Sequence, residues 1–103
     1  MNRPLYYILV NGKVRAAGYA DWAEWFSTSD RRIDWTDIDE VQISTVFLGL
    51  DHATSGPPLI FETLVMGGAH DQEMARYSTL GQAKAGHWAM VDKVKASLSR
   101  GKE

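Results

Sequence analysis

Residues 41–68 read VQISTVFLGLDHATSGPPLIFETLVMGG, with two apolar runs on either side of a loop that contains Asp, His, Ser, Gly and two prolines. β-Branched and aromatic residues are frequent in both runs, a pattern that predicts two long strands joined by a structured connection. Alternate side chains of a strand share a face, so Ile43, Thr45, Phe47 and Gly49 face one way. The other face of this strand also has apolar side chains. This predicts that the strand lies inside the sheet and is at least partly covered on both faces.

A hairpin is predicted near the start of the chain. Asn11-Gly12 separates an apolar run at residues 5–10 from residues 13–17. Asn-Gly favours a two-residue hairpin turn because both central positions need a positive φ. We therefore expect strands at about residues 5–10 and 13–17.

Two further stretches lie beside the central one. Residues 31–38 alternate Ile33 and Trp35 with polar residues, which is typical of a half-exposed strand with both apolar side chains on one face. Residues 69–76 are mostly polar and are interpreted as a connection rather than a strand.

Two helices are predicted from capping signals and apolar spacing. Asp21 with Glu24, and Thr79 with Gln82, have the spacing of a capping box. The first helix is short and has three aromatic residues on one face, namely Trp22, Trp25 and Phe26. The second continues for about five turns, with an apolar stripe at Leu80, Ala83, His87, Met90, Val91, Val94 and Leu98.

Together these elements predict an α+β fold, with an antiparallel sheet of about five strands and one short and one long helix in the order β-β-α-β-β-β-α. At 103 residues, the chain is expected to form one domain over residues 1–98. Residues 99–103 are expected to fray.

Composition excludes several classes of function. The net charge of −2 gives no overall attraction to nucleic acid or acidic membranes, and the absence of cysteine excludes a disulfide framework and thiolate chemistry. No apolar run approaches membrane-spanning length or resembles a signal peptide, so a cytoplasmic location is expected. No catalytic or cofactor motif is recognisable, and we expect no cofactor, no metal ion and no catalytic residue.

Two carboxylates and one histidine in the central stretch are candidate ligand-binding residues. Asp51 and His52 follow the first strand, where loops on a rigid scaffold commonly carry sites, although Asp and His in loops also make local turn bonds. Glu62 is a carboxylate within an apolar strand. Such a group has a raised pKa suited to proton transfer, or lies on a face that is partly open, or is covered by an Arg.

The remaining candidates lie in the second half of the chain. Arg76 precedes the long helix and is suited to bind a phosphate or a carboxylate. His87 lies on the apolar stripe, where a hydrogen-bonded core histidine is the commoner interpretation. The spacing of the three histidines matches no compact metal-binding motif.

Three segments resemble one group of proteins: ISTVFLGLDH, GPPLIFETLVMGG and RYSTLGQAKAGHWAMV. They are similar to segments of small, largely uncharacterised proteins encoded by tailed bacteriophages and prophages. The similarity extends from about Tyr6 to about Val91. It implies a phage or prophage origin and action inside a bacterial host, and it carries over no catalytic residues.

Three hypotheses about function follow. The first is a phage accessory protein that acts by non-catalytic binding to a host protein or complex, for example to inhibit host defence; this predicts an exposed apolar patch or a homodimer that buries one. The second is a module that sequesters a nucleotide-like anion through Arg31, Arg32, Arg76 and His52. The third is a small hydrolase, which requires Glu62, His52 and His87 to converge.

Overall fold

The structure, a computed structural model, describes residues 3–101. Within these residues the chain is α+β, with six strands and two helices. In chain order they are β1 (Tyr7–Val10), β2 (Lys13–Ala16), α1 (Tyr19–Thr28), β3 (Arg32–Ile38), β4 (Val41–Phe47), β5 (Phe61–Met66), β6 (Met74–Tyr77) and α2 (Leu80–Gly101). The α+β class is confirmed.

The predicted single sheet of about five strands is wrong. Strands β1 and β2 form a two-stranded sheet of their own, and the other four form an antiparallel sheet in the order β3-β4-β5-β6. The additional strand is β6, which lies in and just beyond the stretch interpreted as a polar connection. Residues 70–72 make a turn, in which Gln72 has a φ of 71°, and this turn returns the chain alongside β5.

The hairpin is confirmed. Asn11 and Gly12 have φ values of 51° and 78°, as a turn of this kind requires. The hairpin is joined to the chain just after β4, because the Tyr7 amide donates to the Gly49 carbonyl and the Asp51 amide donates to the Leu5 carbonyl. Its Tyr7, Leu9 and Val14 side chains pack against a core cluster that contains Phe47 and Phe61.

Strand β3 has an irregularity that changes which side chains are exposed. Its register against β4 shifts between Arg32 and Asp34, which is the mark of a β-bulge. Beyond the bulge, Trp35 pairs with Ser44 and Thr36 pairs with Ile43. The prediction that Ile33 and Trp35 share a face is therefore wrong: Ile33 packs on the core, whereas Trp35 is on the opposite face.

The two helix starts differ. The capping box of α2 is confirmed, since the Gln82 amide donates to Thr79 Oγ1 at 3.0 Å and the Thr79 amide donates to Gln82 Oε1 at 3.2 Å. The capping box of α1 is wrong. That helix begins at Tyr19, its N-cap is Gly18 without a side-chain bond, and Asp21 lies inside the first turn, where a carboxylate interacts favourably with the helix dipole.

Helix α2 continues to Gly101. Fraying of residues 99–101 stays a prediction, as does the single domain over residues 1–98. Residues 1, 2, 102 and 103 lie outside the described residues.

Helix α2 lies along the larger sheet and contacts all four of its strands. The face of this sheet that contacts α2 is called the covered face, and the opposite one the open face. The prediction that β4 lies inside the sheet is confirmed. However, the sheet is covered mainly on one face. Val41, Ile43, Thr45 and Phe47 on the covered face are at most 1% exposed.

The core beneath α2 consists of two apolar clusters. Both are built from strand and helix residues, and a polar group made of Thr45, Thr63 and His87 is buried with them. One cluster consists of Val41, Ile43, Val65, Met90, Val91 and Val94, and the other of Phe47, Ile60, Phe61 and Ala83.

Candidate functional site

Asp51 organises the loop that follows β4. Its side chain is only 2% exposed, and Oδ2 accepts a bond of 2.5 Å from Arg3 Nε. The amides of Ala53 and Leu59 donate to Oδ1. Burial alone would raise the pKa of Asp51, but these hydrogen bonds together with the Arg3 charge outweigh it and lower the pKa below its ordinary value. Asp51 therefore holds the loop, whereas the adjacent His52 is exposed.

Glu62 and Arg76 are partners on the open face. They are directly opposite each other on β5 and β6, and Arg76 Nε donates to Glu62 Oε2 at 3.0 Å. Both side chains are partly exposed, at 18% for Glu62 and 34% for Arg76. Glu62 therefore lies on a partly open face and is also covered by an Arg, which were two separate interpretations of this residue.

His87 is fully buried on the covered face and is bonded at both ring nitrogens. Its Nδ1 lies 2.7 Å from Thr45 Oγ1, and its Nε2 lies 2.8 Å from Thr36 Oγ1. The network continues from Thr45 to Thr63 at 2.6 Å, and Tyr77 donates its hydroxyl to Thr63 at 3.1 Å. Threonine hydroxyls both donate and accept, so they satisfy either tautomer of a neutral imidazole.

The electrostatics of His87 follow from this position. Burial lowers the pKa of His87, and the Asp34 carboxylate, 4.0 Å from Nε2, opposes that shift only in part. The neutral form is therefore the stable one at neutral pH. His87 is a satisfied core histidine, and its hydrogen-bond partners Thr36 and Thr45 belong to strands β3 and β4.

The five candidate residues do not form one site. Glu62 and Arg76 are on the open face, His87 is buried beneath the covered face, and Asp51 is held in the loop. The convergence of Glu62 with His87 that a hydrolase requires is absent, since the sheet separates them. Among residues 3–101, no group of three His, Asp or Glu side chains is arranged to hold a metal ion.

The arginines expected to bind an anion have partners within the protein. Arg31 donates to the Phe47 carbonyl and lies over the Phe26 ring. The guanidinium of Arg32 lies 4.7 Å from the centre of the Trp35 ring. With Arg76 bonded to Glu62, these three cations are not gathered around a common pocket.

The open face itself is the surface that stands out. No helix of the described residues covers it, and two large apolar side chains on it are exposed, Trp35 by 38% and Met74 by 50%. The strand register places Trp35, Ser44, Leu64 and Met74 in one row across the four strands. The full set on this face is Arg32, Trp35, Asp37, Gln42, Ser44, Val46, Glu62, Leu64, Met66, Met74 and Arg76.

Trp35 is held in a defined orientation on this surface. Its Nε1 donates to Asp37 Oδ2 at 2.9 Å, and Arg32 lies over its ring. Contacts on two sides restrict the side-chain torsions before any partner binds, which reduces the entropy lost on binding. Sequence reasoning missed Trp35 and Met74: the first was placed on the same strand face as Ile33 and the second in a connection.

Comparisons with known proteins give no further guide to the site. No family model, curated protein or solved structure matches the chain. Neither helix of residues 3–101 is both long enough and apolar enough to cross a membrane.

Proposed function

We propose that this protein is a phage or prophage accessory protein that binds a host protein or complex through the open face, without catalysing a reaction. The site of action is the cytoplasm of the bacterial host, and the consequence is inhibition of a host function such as defence. The observation that carries the proposal is the exposed, oriented Trp35 at the end of a row that also contains Leu64 and Met74, on the uncovered face of the sheet. The resemblance of three segments to phage proteins supports the origin.

The composition of the open face suits a protein partner. Three of the four side chains in the row from Trp35 to Met74 are apolar and the fourth is Ser44, and the neighbouring rows contain charged residues such as Asp37, Glu62 and Arg76. Protein interfaces commonly combine an apolar centre with a polar rim and are enriched in Trp, Met and Arg. A rigid Trp is the residue type that most often dominates the binding free energy.

A pair of exposed tryptophans allows a matched test. Trp35 is on the open face, whereas Trp88 is 51% exposed on α2. Tagged wild type, Trp35→Ala and Trp88→Ala are used to capture proteins from host lysate. The protein that wild type captures is identified by mass spectrometry and purified, and its Kd for each variant is measured by calorimetry.

We expect Trp35→Ala to raise the Kd about 30-fold, which corresponds to a hot spot of about 2 kcal/mol. Trp88→Ala should leave the Kd within about twofold, because rim and remote contacts contribute little. A partner lost with Trp88→Ala and retained with Trp35→Ala contradicts the proposal. So does a homodimer in light scattering that Trp35→Ala dissociates, since the open face is then used by a second copy.

A further inference from the structure

A cavity of about 290 Å³ opens between strand β6 and helix α2. Its wall is formed by Ala75, Tyr77, Gly86, Ala89, Met90 and Lys93. The polar groups of this wall already have partners, because Tyr77 donates to Thr63 and Lys93 pairs with Glu73. The cavity is at the lower limit of the roughly 300–1,000 Å³ usual for small-molecule sites, so it suits an apolar side chain.

The outer edge of β6 lies beside this cavity and has unpaired backbone groups. The Tyr77 and Glu73 carbonyls accept from Ile60 and Val65, so they point towards β5. The two-residue period of a strand then directs the peptide groups of Met74 and Arg76 away from β5. Strand β6 is the last of its sheet, and no strand of residues 3–101 pairs with its outer side.

The opposite edge of the sheet is blocked. Strand β3 has a bulge next to Arg32, and carboxylates of its own segment take two of its backbone donors. The Arg32 amide donates to Asp30 Oδ1, and the Trp35 amide donates to Asp34 Oδ1. Bulges and charged residues are common protection against strand addition. Strand β6 contains the charged Arg76, but among residues 3–101 its outward amides are not bonded to carboxylates as those of β3 are.

From these observations we propose that β6 and α2 form a groove that binds an extended peptide as an added strand, with one apolar side chain of the peptide in the cavity. The outward peptide groups of Met74 and Arg76 match the donors and acceptors of another polypeptide backbone at strand spacing. Side chains of an added strand alternate between the two faces, so every second one is directed towards α2.

A second copy of this chain fits the groove less well than a foreign peptide. If β6 paired with β6 of another molecule, the side chains offered to the cavity would be Ala75 and Tyr77. Tyr77 is bonded to Thr63 beneath its own helix and packs against Gly86, so it does not reach a neighbour. The groove lies on the α2 side of β6 and at the opposite sheet edge from Trp35, although the side chains of Met74 and Arg76 belong to the open face. The inference does not depend on the proposed function.

The probe is a set of fluorescein-labelled nine-residue peptides with alternating threonine and apolar residues, acetylated and amidated, with lysine at each end. The central residue is Ala, Val, Leu, Met, Phe or Trp. Fluorescence anisotropy is expected to show saturable binding that is strongest for one of the larger apolar residues. In addition, the tightest peptide is made with N-methyl groups on either its odd or its even residues.

Added-strand binding predicts that one methylated peptide loses about tenfold or more in affinity while the other keeps it, since only alternate amides face β6. Ala89→Leu, which fills the groove from an exposed helix position, should weaken binding about tenfold. Ala20→Leu is the matched control, because Ala20 is exposed on α1, and it should bind normally. Circular dichroism checks that both variants are folded.

Three outcomes overturn the inference. They are the absence of saturable binding by every peptide of the set, equal sensitivity to both methylation patterns, and dimerisation of wild type that Ala89→Leu prevents. Trp35→Ala should bind the peptides like wild type. If Trp35→Ala binds the peptides but loses its host partner, the groove and the open face act independently. If Trp35→Ala loses the peptides as well, the peptides do not bind in the groove.

Discussion

The covered and open faces of the four-stranded sheet are made by alternate residues of the same strands, and they differ in what each residue contacts. On the covered face, Ile43 and Phe47 are completely buried, and every polar group of the His87 network has a partner. On the open face, Trp35 and Met74 remain exposed. Substitutions on the covered face should therefore change the free energy of unfolding, whereas substitutions on the open face should change binding.

The largest effect is expected for Gly86→Ala above the covered face. An added Cβ at Gly86 would overlap the ring of Tyr77, which is rigid and hydrogen-bonded to Thr63. Overpacking of this kind should lower the free energy of unfolding by about 3 kcal/mol, more than the roughly 1 kcal/mol by which Ala favours a helix over Gly. Urea denaturation measures the difference.

Gly81→Ala is the matched control on the same helix. A Cβ at Gly81 meets no atom within 4 Å, so this variant should be as stable as wild type or more stable by up to about 1 kcal/mol. Equal stability of the two variants would show that the contact between Tyr77 and the helix does not constrain α2.

A smaller effect is expected for Thr45→Val, which tests the polar part of the covered face. The substitution keeps the shape but removes the hydroxyl that bonds to both His87 and Thr63. Leaving buried polar atoms without a partner should lower the free energy of unfolding by about 2 kcal/mol. Chemical denaturation of the purified variant gives this value.

The neighbouring residue provides the control from the other face. Ser44 is next to Thr45 on β4 and is directed to the open face, opposite Trp35. Ser44→Val removes a hydroxyl that is only half-buried and adds a side chain favoured in strands, so the change should stay within about 0.5 kcal/mol. If both substitutions are equally costly, the distinction between the two faces is wrong.

Features that depend on a few neighbouring residues could be predicted from the sequence. The turn at Asn11-Gly12 needs two positive φ values, and the capping box of Thr79 and Gln82 needs two hydrogen bonds within one turn. Both requirements are met by residues close together in the sequence and do not depend on the rest of the chain. The long helix and the interior strand were predicted for a similar reason, because their apolar period extends over many residues.

Features that depend on distant residues could not be predicted. The exposure of Trp35 results from a bulge in the pairing of β3 with β4, and β6 is a strand because β5 pairs with it. The position of His87 in the core was predictable from its stripe. The threonine network around His87 was not predictable, since Thr36, Thr45 and Thr63 come together only when three strands align.

The smallest effect concerns pH and isolates the buried imidazole. The folded-state pKa of His87 is lowered by burial, whereas the unfolded chain takes up a proton near the ordinary value of about 6.5. As the pH falls through that value, the unfolded state binds more protons than the folded state. The free energy of unfolding should therefore decrease from about pH 7 downwards, with a slope of at most about 1.4 kcal/mol per pH unit from this group.

The two carboxylates whose pKa is lowered, Glu73 and Asp51, do not interfere in this range. Hydrogen bonds from Lys93 and His70 lower the pKa of Glu73, and hydrogen bonds to Asp51 lower the pKa of that residue. The stabilisation from these carboxylates is therefore lost only as the pH falls below their ordinary pKa values of 4.5 for Glu73 and 3.8 for Asp51. Urea titrations between pH 7.5 and 5.5 compare wild type, His87→Gln and His52→Gln. The slope due to His87 should disappear in His87→Gln and persist in His52→Gln, because His52 is exposed in the loop. An undiminished slope in His87→Gln would mean that the covered face does not keep this imidazole neutral.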